Sequence, residues 1–206
     1  NILTVLSDTN ALSDGLVTES GSQNTQTKVS IFKNESAWII PAQVNYCAET
    51  YQGVNFFHDD APKLSLLGAA LRNGYLHTAI REKGGAYGAG AMHDSSSGVF
   101  KFFSYRDPNC RETFDEFQAS INWIDNNLKQ KHLDEAVLNV ISSVDKPLSP
   151  VGEAKSDFYQ NLNGINHQMR LDYRNKILNT SLQDLHEVAD KYLNTKSFKS
   201  VIGSKN

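Results

Sequence analysis

The sequence predicts a single α+β domain over residues 1–206, with a mostly antiparallel sheet packed against several helices. The segment after Pro62 repeats apolar residues at steps of three and four, as one face of a helix does. Several short segments rich in Val, Ile, Phe and Tyr, bounded by turn-forming residues, have the composition of strands. Strands and helices follow one another in mixed order, and 206 residues are enough to bury a core.

The first elements follow from local signals. Residues 1–35 are expected to begin the chain as a largely irregular segment, with one strand candidate, KVSIF, at 28–32. A second strand is predicted over 36–51, where Pro41 marks an edge or a bulge. A helix is predicted from Pro62 to Lys83, with Asp60 as its cap and Gly84 and Gly85 as its end.

The second half of the chain is predicted to be mainly helical. Asn109 with Glu112, and Ser181 with Asp184, have the spacing of helix starts. The expected order is strand 86–94, strand 98–106, a helix from Asn109, a helix ending at Lys146, a helical region over 153–178, a helix from Ser181 and a last strand over 197–204.

Composition excludes several classes of partner. A net charge of −3 provides no basic field for a nucleic acid or an anionic membrane. No apolar run reaches the roughly 20 residues of a membrane-spanning helix. Cys47 and Cys110, far apart in sequence, do not suggest a disulfide framework.

The chain contains no complete catalytic motif, and no metal ligands are predicted in it. No histidine lies four residues from another, so neither orientation of the two-histidine zinc helix motif is present. The nearest approach is His132 with Glu135, where Ala136 occupies the position of the second ligand. His186 fails for the same reason, and no G-x-S-x-G nucleophile motif occurs.

The junction IREKGGAYG, residues 80–88, has an ordinary structural interpretation. Arg81 in a last helical turn interacts favourably with the helix dipole, and Tyr87 at a strand start is typical of a packing residue. These residues gain a second interpretation only from a resemblance.

Three stretches carry that resemblance: AWIIPAQVNYCAETY at 37–51, the long stretch around REKGGAYG at 71–109, and VDKPLSPVGEAKSDFYQNLNGINHQMRLDYRNKIL at 144–178. In this order they resemble a C-terminal domain of the insulinase/pitrilysin family of zinc metallopeptidases. Within that family the chain is most similar to the presequence protease subfamily, which includes falcilysin-like enzymes. The likeness covers about residues 36–203.

The resemblance implies a fold of the insulinase and mitochondrial processing peptidase type, and a division of labour between two halves of a clamshell chamber. The N-terminal half of the same polypeptide, which is missing here, would hold the zinc and the glutamate that activates water; no cofactor is expected in this chain. The C-terminal half would supply an Arg and a Tyr, which Arg81 and Tyr87 match in identity and spacing. Both can donate hydrogen bonds to a substrate carbonyl or to the oxygen that gains charge during cleavage. Gly84, Gly85 and Gly88 would let a substrate backbone approach closely.

Neighbouring residues are weaker candidates. Tyr75 is expected in the core, whereas His77 could face either the core or the chamber. Gln43 and Asn45 are candidates to line the chamber.

The sequence therefore favours the substrate-binding, non-zinc domain of a peptide-degrading metallopeptidase, inactive by itself, with targeting-peptide-like substrates. Two alternatives stay open: an inactive structural subunit of the same fold, like the core proteins of respiratory complexes, and an unrelated binding domain in which the motif is coincidental. The compartment is unknown, being cytoplasmic if the protein is bacterial and the mitochondrial matrix or a plastid if it is eukaryotic.

Overall fold

The computed structural model describes residues 34–204. The strand candidate at 28–32 and nearly all of the predicted irregular segment lie outside the described residues. The elements are β1 (Glu35–Ile39), β2 (Asn45–Gln52), α1 (Ala61–Leu71), a π-helix (Arg72–Lys83), β3 (Gly88–Asp94), β4 (Val99–Asp107), α2 (Arg111–Asn127), α3 (Gln130–Val144), α4 (Pro150–Leu162), α5 (His167–Leu178), α6 (Leu182–Leu193) and β5 (Phe198–Gly203).

The five strands form one sheet in the order β1-β5-β2-β4-β3. Only β1 and β5 are parallel, and the other three pairings are antiparallel. The predicted α+β class with a mostly antiparallel sheet is therefore confirmed. Among residues 34–204, no helix is long and apolar enough to cross a membrane.

The core lies between one face of the sheet and the helices. Alternate residues of β2 and β4 point into it, because successive strand side chains face opposite sides. At Gly68 the helix α1 comes so close to β3 that an added Cβ would lie 2.9 Å from the Met92 Cα. The largest fully buried side chains are Phe100, Phe102, Phe117, Leu64, Leu66, Leu67, Leu71, Leu76, Ile80, Ile124, Leu133 and Ile177.

The predicted continuous strand over 36–51 is wrong, because the structure has two strands there. The chain leaves β1 after Ile39 and turns at Pro41, with the amide of Ala42 donating to the carbonyl of Ile40 at 2.9 Å. It then enters β2 at Asn45, which pairs with different neighbours. Proline cannot donate to a sheet ladder, so it separates the strands.

The helical region predicted over 153–178 is also two helices rather than one. Asn163 follows the end of α4, Gly164 adopts a left-handed φ of 73°, and Asn166 accepts a hydrogen bond from the Met169 amide at the start of α5. A glycine at positive φ closes helices at little steric cost.

The helix predicted from Pro62 to Lys83 is present, but it changes geometry half-way. After Leu71 it widens into a π-helix, whose end is marked by a hydrogen bond from the Gly84 amide to the Ala79 carbonyl, five residues back.

Asp60 precedes α1 without capping it through its side chain. Its carboxylate instead accepts hydrogen bonds from Lys191 Nζ and the Tyr192 hydroxyl, both at 2.7 Å. Asp60 is therefore the N-cap residue by position, as predicted, but two partners on α6, over 130 residues away in sequence, bind its carboxylate in place of the helix amides.

Candidate functional site

The junction between the π-helix and β3 presents Arg81 and Tyr87 outward. The buried residues Ile80 and Ala86 flank the turn, and the Ala86 amide donates to the Ile80 carbonyl at 3.1 Å. The Tyr87 amide donates to the Arg106 carbonyl, which starts the β3–β4 pairing. Because Ile80 and Ala86 are held in the core, their neighbours Arg81 and Tyr87 are exposed, Tyr87 to 63%.

Arg81 belongs to a polar group on the outer side of the helix. Its Nη1 lies 2.9 Å from His77 Nε2, and His77 Nδ1 lies 3.3 Å from a carboxylate oxygen of Glu82. A neutral imidazole protonated on Nδ1 satisfies both contacts, since it accepts from the guanidinium and donates to the carboxylate. His77 therefore lies beside Arg81, whereas Tyr75 packs against the core as predicted and donates to Glu116 at 2.6 Å.

Tyr87 is held by its ring rather than by its hydroxyl. The ring packs against Tyr105 with a centroid distance of 5.5 Å, and the Arg106 guanidinium carbon lies 5.5 Å from the Tyr87 centroid. Arg106 adopts a left-handed φ of 48°, which is uncommon for a residue with a side chain. These contacts orient the ring and leave the phenol hydroxyl able to donate to another molecule.

Contacts and backbone conformation within the domain explain the three glycines of the junction. At Gly84 an added Cβ would lie 2.6 Å from the Ile80 carbonyl oxygen, and Gly85 has a left-handed φ of 81°. At Gly88 the Tyr105 ring occupies the space of a side chain. The turn and the tyrosine packing thus account for all three glycines, and their predicted contact with substrate stays a prediction.

A polar network behind the junction holds it in place. The Asn109 side-chain amide donates to the Gly84 carbonyl at 2.6 Å, and the Asn109 backbone amide donates to Asp107 Oδ1 at 2.9 Å. Asp107 is fully buried and also accepts from the Thr113 hydroxyl at 2.7 Å. The Asn45 amide donates to the carbonyls of Asp107 and Asn109, both at 3.3 Å.

Sequence reasoning missed this network. Asn109 was predicted to start a helix, and α2 begins beyond it, after Cys110. Asn45 was a candidate for lining a chamber, and its amide instead supports the loop after β4. No local signal could have revealed the bonds from Asn109 to Gly84 and from Asn45 to Asp107 and Asn109, because they join segments at least 25 residues apart.

Tyr87 also begins a row of exposed apolar side chains on the sheet face opposite the core. Gly88 pairs with Tyr105, Tyr46 with Ile202, and Ile202 with Trp38, so the row continues from Tyr87, just before β3, over β4, β2, β5 and β1. Tyr105, Tyr46, Ile202 and Trp38 are each between 37% and 40% exposed.

The two cysteines are both free thiols. Burial raises the pKa of the Cys47 thiol to about 12, and the nearby Cys110 and Asp107 add to this effect, so Cys47 is a protonated core residue at neutral pH.

Within residues 34–204, no group of three His, Cys, Asp or Glu side chains is close enough together to bind a metal ion. His132 accepts a hydrogen bond from the Lys129 amide at 3.0 Å and packs against Trp123. His93 is buried and bonded to the Val54 carbonyl at 2.8 Å, and burial lowers its pKa. The described residues therefore do not fit a catalytic zinc site.

Several solved structures share this fold. A protease from Helicobacter pylori matches with a TM-score of 0.71 and 21% identity, over 82% of this chain and 43% of that one. An inactive domain of peptidase M16 from Pseudomonas fluorescens matches with a TM-score of 0.67 and 17% identity, over 84% and 43%. Complex III₂ from Candida albicans contains a chain that matches with a TM-score of 0.69 and 14% identity, over 95% and 51%. At these identities the matches show the fold alone.

Sequence comparison then shows the family. Residues 34–204 match the family model described as PreP C-terminal domain, and the chain belongs to that family. The mitochondrial presequence protease of Kluyveromyces lactis is 39% identical over 166 residues, and that of Saccharomyces cerevisiae is equally similar. These matches cover 79% of this chain, which spans only 16–17% of the length of those relatives.

Proposed function

We propose that this chain is the substrate-binding C-terminal domain of a zinc peptidase, and that Arg81 and Tyr87 bind the peptide that is cleaved. One observation carries the proposal: two side chains able to donate hydrogen bonds are turned outward at one rigid junction. Structural needs explain the buried Ile80 and Ala86, but they do not require an arginine or a tyrosine hydroxyl at the exposed positions.

The two donors suit a peptide carbonyl. The guanidinium provides several N–H groups with a permanent charge, and the phenol provides a single O–H. A carbonyl oxygen that gains negative charge as its bond is cleaved is stabilised more strongly than the uncharged oxygen, so such donors accelerate the reaction. The apolar row from Tyr105 to Trp38 would offer contact area to apolar side chains of the same peptide.

The remaining parts of the enzyme lie outside this chain. Zinc, held by residues of the N-terminal half, would supply the bond-breaking chemistry when bound. The relatives are named mitochondrial presequence proteases, which supports targeting peptides as substrates and the mitochondrial matrix as the location. The 206-residue chain alone is expected to be inactive.

An inactive structural subunit is the second candidate. The same fold occurs in an inactive M16 domain and in complex III₂, so the fold by itself does not require activity. In such a subunit Arg81 and Tyr87 would be dispensable, and this difference separates the two proposals.

The test is peptide cleavage by the full-length polypeptide carrying Arg81→Ala or Tyr87→Phe. Tyr87→Phe keeps the ring contacts with Tyr105 and Arg106 and removes only the hydroxyl. Each variant should lose roughly a hundredfold in kcat/KM, while its zinc content and unfolding temperature stay at the wild-type values.

Lys83→Ala is the matched control, because it removes an exposed positive charge from the same helical turn. It should cleave at the wild-type rate. Wild-type cleavage by both site variants would refute the assigned roles. A full-length protein that neither binds zinc nor cleaves peptides would favour the structural subunit.

A further inference from the structure

The helix α4 is amphipathic, and its apolar side faces outward. A helix that packs on its own domain buries its apolar side. Yet α4 contains no buried residue, and its less exposed positions are Gly152, Ser156 and Gln160, spaced four apart on one side. The inward side of this helix is therefore small or polar.

The outward side carries large apolar residues. Val151, Phe158 and Leu162 are 78%, 64% and 71% exposed. They are separated by seven and four residues, which places them on one face at 3.6 residues per turn. We define these three side chains as the α4 stripe.

The Phe158 ring contacts Tyr159 of the same helix at a centroid distance of 5.6 Å, but Phe158 remains 64% exposed, so this contact does not cover the α4 stripe. The inner side of α4 borders an open groove of about 930 Å³, lined by residues that include Ser156, Gln160, Arg170 and Tyr173. In that groove the Gln160 amide donates to the Ser156 hydroxyl at 3.0 Å. The inner side of the helix thus presents small and polar side chains to the groove, while its apolar side chains face away.

We propose that the α4 stripe is the docking surface for another domain of the same polypeptide. This inference rests on the proposed function in one respect, that the chain is one domain of a longer protease. The relatives it matches are about six times longer than the matched part, so most of such a polypeptide is available to cover the stripe.

Surface area favours a partner in the same polypeptide over a second copy of the chain. Three side chains expose at most a few hundred Å², whereas a stable dimer commonly buries about 800 Å² per partner. A covalently linked domain needs less area, because linkage replaces a bimolecular step with an intramolecular one. The α4 stripe has the size of an intramolecular contact.

The test uses the full-length polypeptide with the double substitution Phe158→Ser and Leu162→Ser. Neither side chain is buried by residues 34–204, so a large loss of stability must come from contacts outside the described residues. The midpoint of thermal unfolding should fall by roughly 5 °C, and hydrogen exchange of the α4 amides should accelerate at least tenfold. Zinc content should stay at the wild-type value.

Asn161→Ser is the matched control on the same helix, since Asn161 is exposed, polar and outside the stripe. It should shift the midpoint by less than about 1 °C. The proposal is overturned if the double variant melts and exchanges like wild type. It is also overturned if the loss appears only at high protein concentration, which would identify a second copy as the occupant. This stability test is independent of the activity test: wild-type cleavage by the Arg81 and Tyr87 variants would not change the loss of stability expected for the double variant.

Discussion

Asn109 provides a sensitive test of how the Arg81–Tyr87 junction is held. Its side-chain amide donates to the Gly84 carbonyl at 2.6 Å, next to the turn that separates the two exposed residues. Asn109→Ala removes this hydrogen bond, whereas Asn109→Asp replaces the donor with an acceptor of nearly the same shape. The two substitutions therefore separate the loss of a bond from the introduction of a repulsion.

The expected changes in the free energy of unfolding follow from the partly buried position of this hydrogen bond. Losing it should lower the free energy of unfolding by about 1 kcal/mol. A carboxylate at the same place would face the Gly84 carbonyl oxygen and lie near the buried Asp107 carboxylate, which should cost about 2–3 kcal/mol. We expect Asn109→Asp to be the less stable variant at pH 7.

The penalty of the introduced carboxylate depends on pH. Repulsion raises the pKa of the introduced carboxyl above its unfolded value, so its penalty is present at neutral pH and disappears as pH falls toward about 4. Protonated, the carboxyl can donate to the Gly84 carbonyl as the amide does. The difference between the two variants should therefore vanish or reverse at about pH 4.

Urea unfolding of the 206-residue chain, followed by circular dichroism at pH 7 and pH 4, measures these values. In the full-length polypeptide, Asn109→Ala should also reduce kcat for peptide cleavage without changing zinc content. Two variants that unfold within about 0.3 kcal/mol of wild type at both pH values would refute the assigned role of Asn109.

Two further predictions concern the scaffold. Gly68→Ala should lower the free energy of unfolding by about 2 kcal/mol despite the better helix propensity of alanine, because its Cβ would meet the Met92 backbone at 2.9 Å; unfolding as stable as wild type would contradict this packing. Hydrogen bonds from Lys63, at 2.6 Å, and from Ser181 lower the pKa of Asp184 to about 2, so this carboxylate stabilises the fold above about pH 4 and its contribution is lost as pH falls toward 2. Asp184→Asn should cost about 1–2 kcal/mol at pH 7 and little at pH 2, and an equal cost at both values would show that the ion pair is not the cause.

Predictions from the sequence succeeded where neighbouring residues decide the structure. The start near Pro62, the end at Gly84 and Gly85, and the capping box of Ser181 with Asp184 were all predicted and are present. These features depend on backbone conformation and hydrogen bonds within one or two turns, which a short sequence window contains.

Predictions failed where a distant segment competes for a side chain. Asp60 holds the N-cap position of α1 as expected, but its carboxylate binds Lys191 and Tyr192 rather than a helix amide. Asn109, expected to start a helix, binds Gly84 instead. The strand predicted over 36–51 is two strands in the structure, because β1 and β2 pair with different neighbours. This pairing is decided only when the whole sheet assembles.

By itself, the sequence determined the fold class, the family resemblance and the identity of the exposed pair, because periodic apolar positions, turn residues and a short motif are all properties of neighbouring residues. Only the tertiary structure decided how the pair is presented: Asn109 and Asp107 brace the turn, Tyr105 and Arg106 hold the Tyr87 ring, and α4 keeps its apolar side outward. Each of these depends on contacts between residues far apart in the chain, or on a surface left uncovered when the core is complete, and no local pattern specifies either.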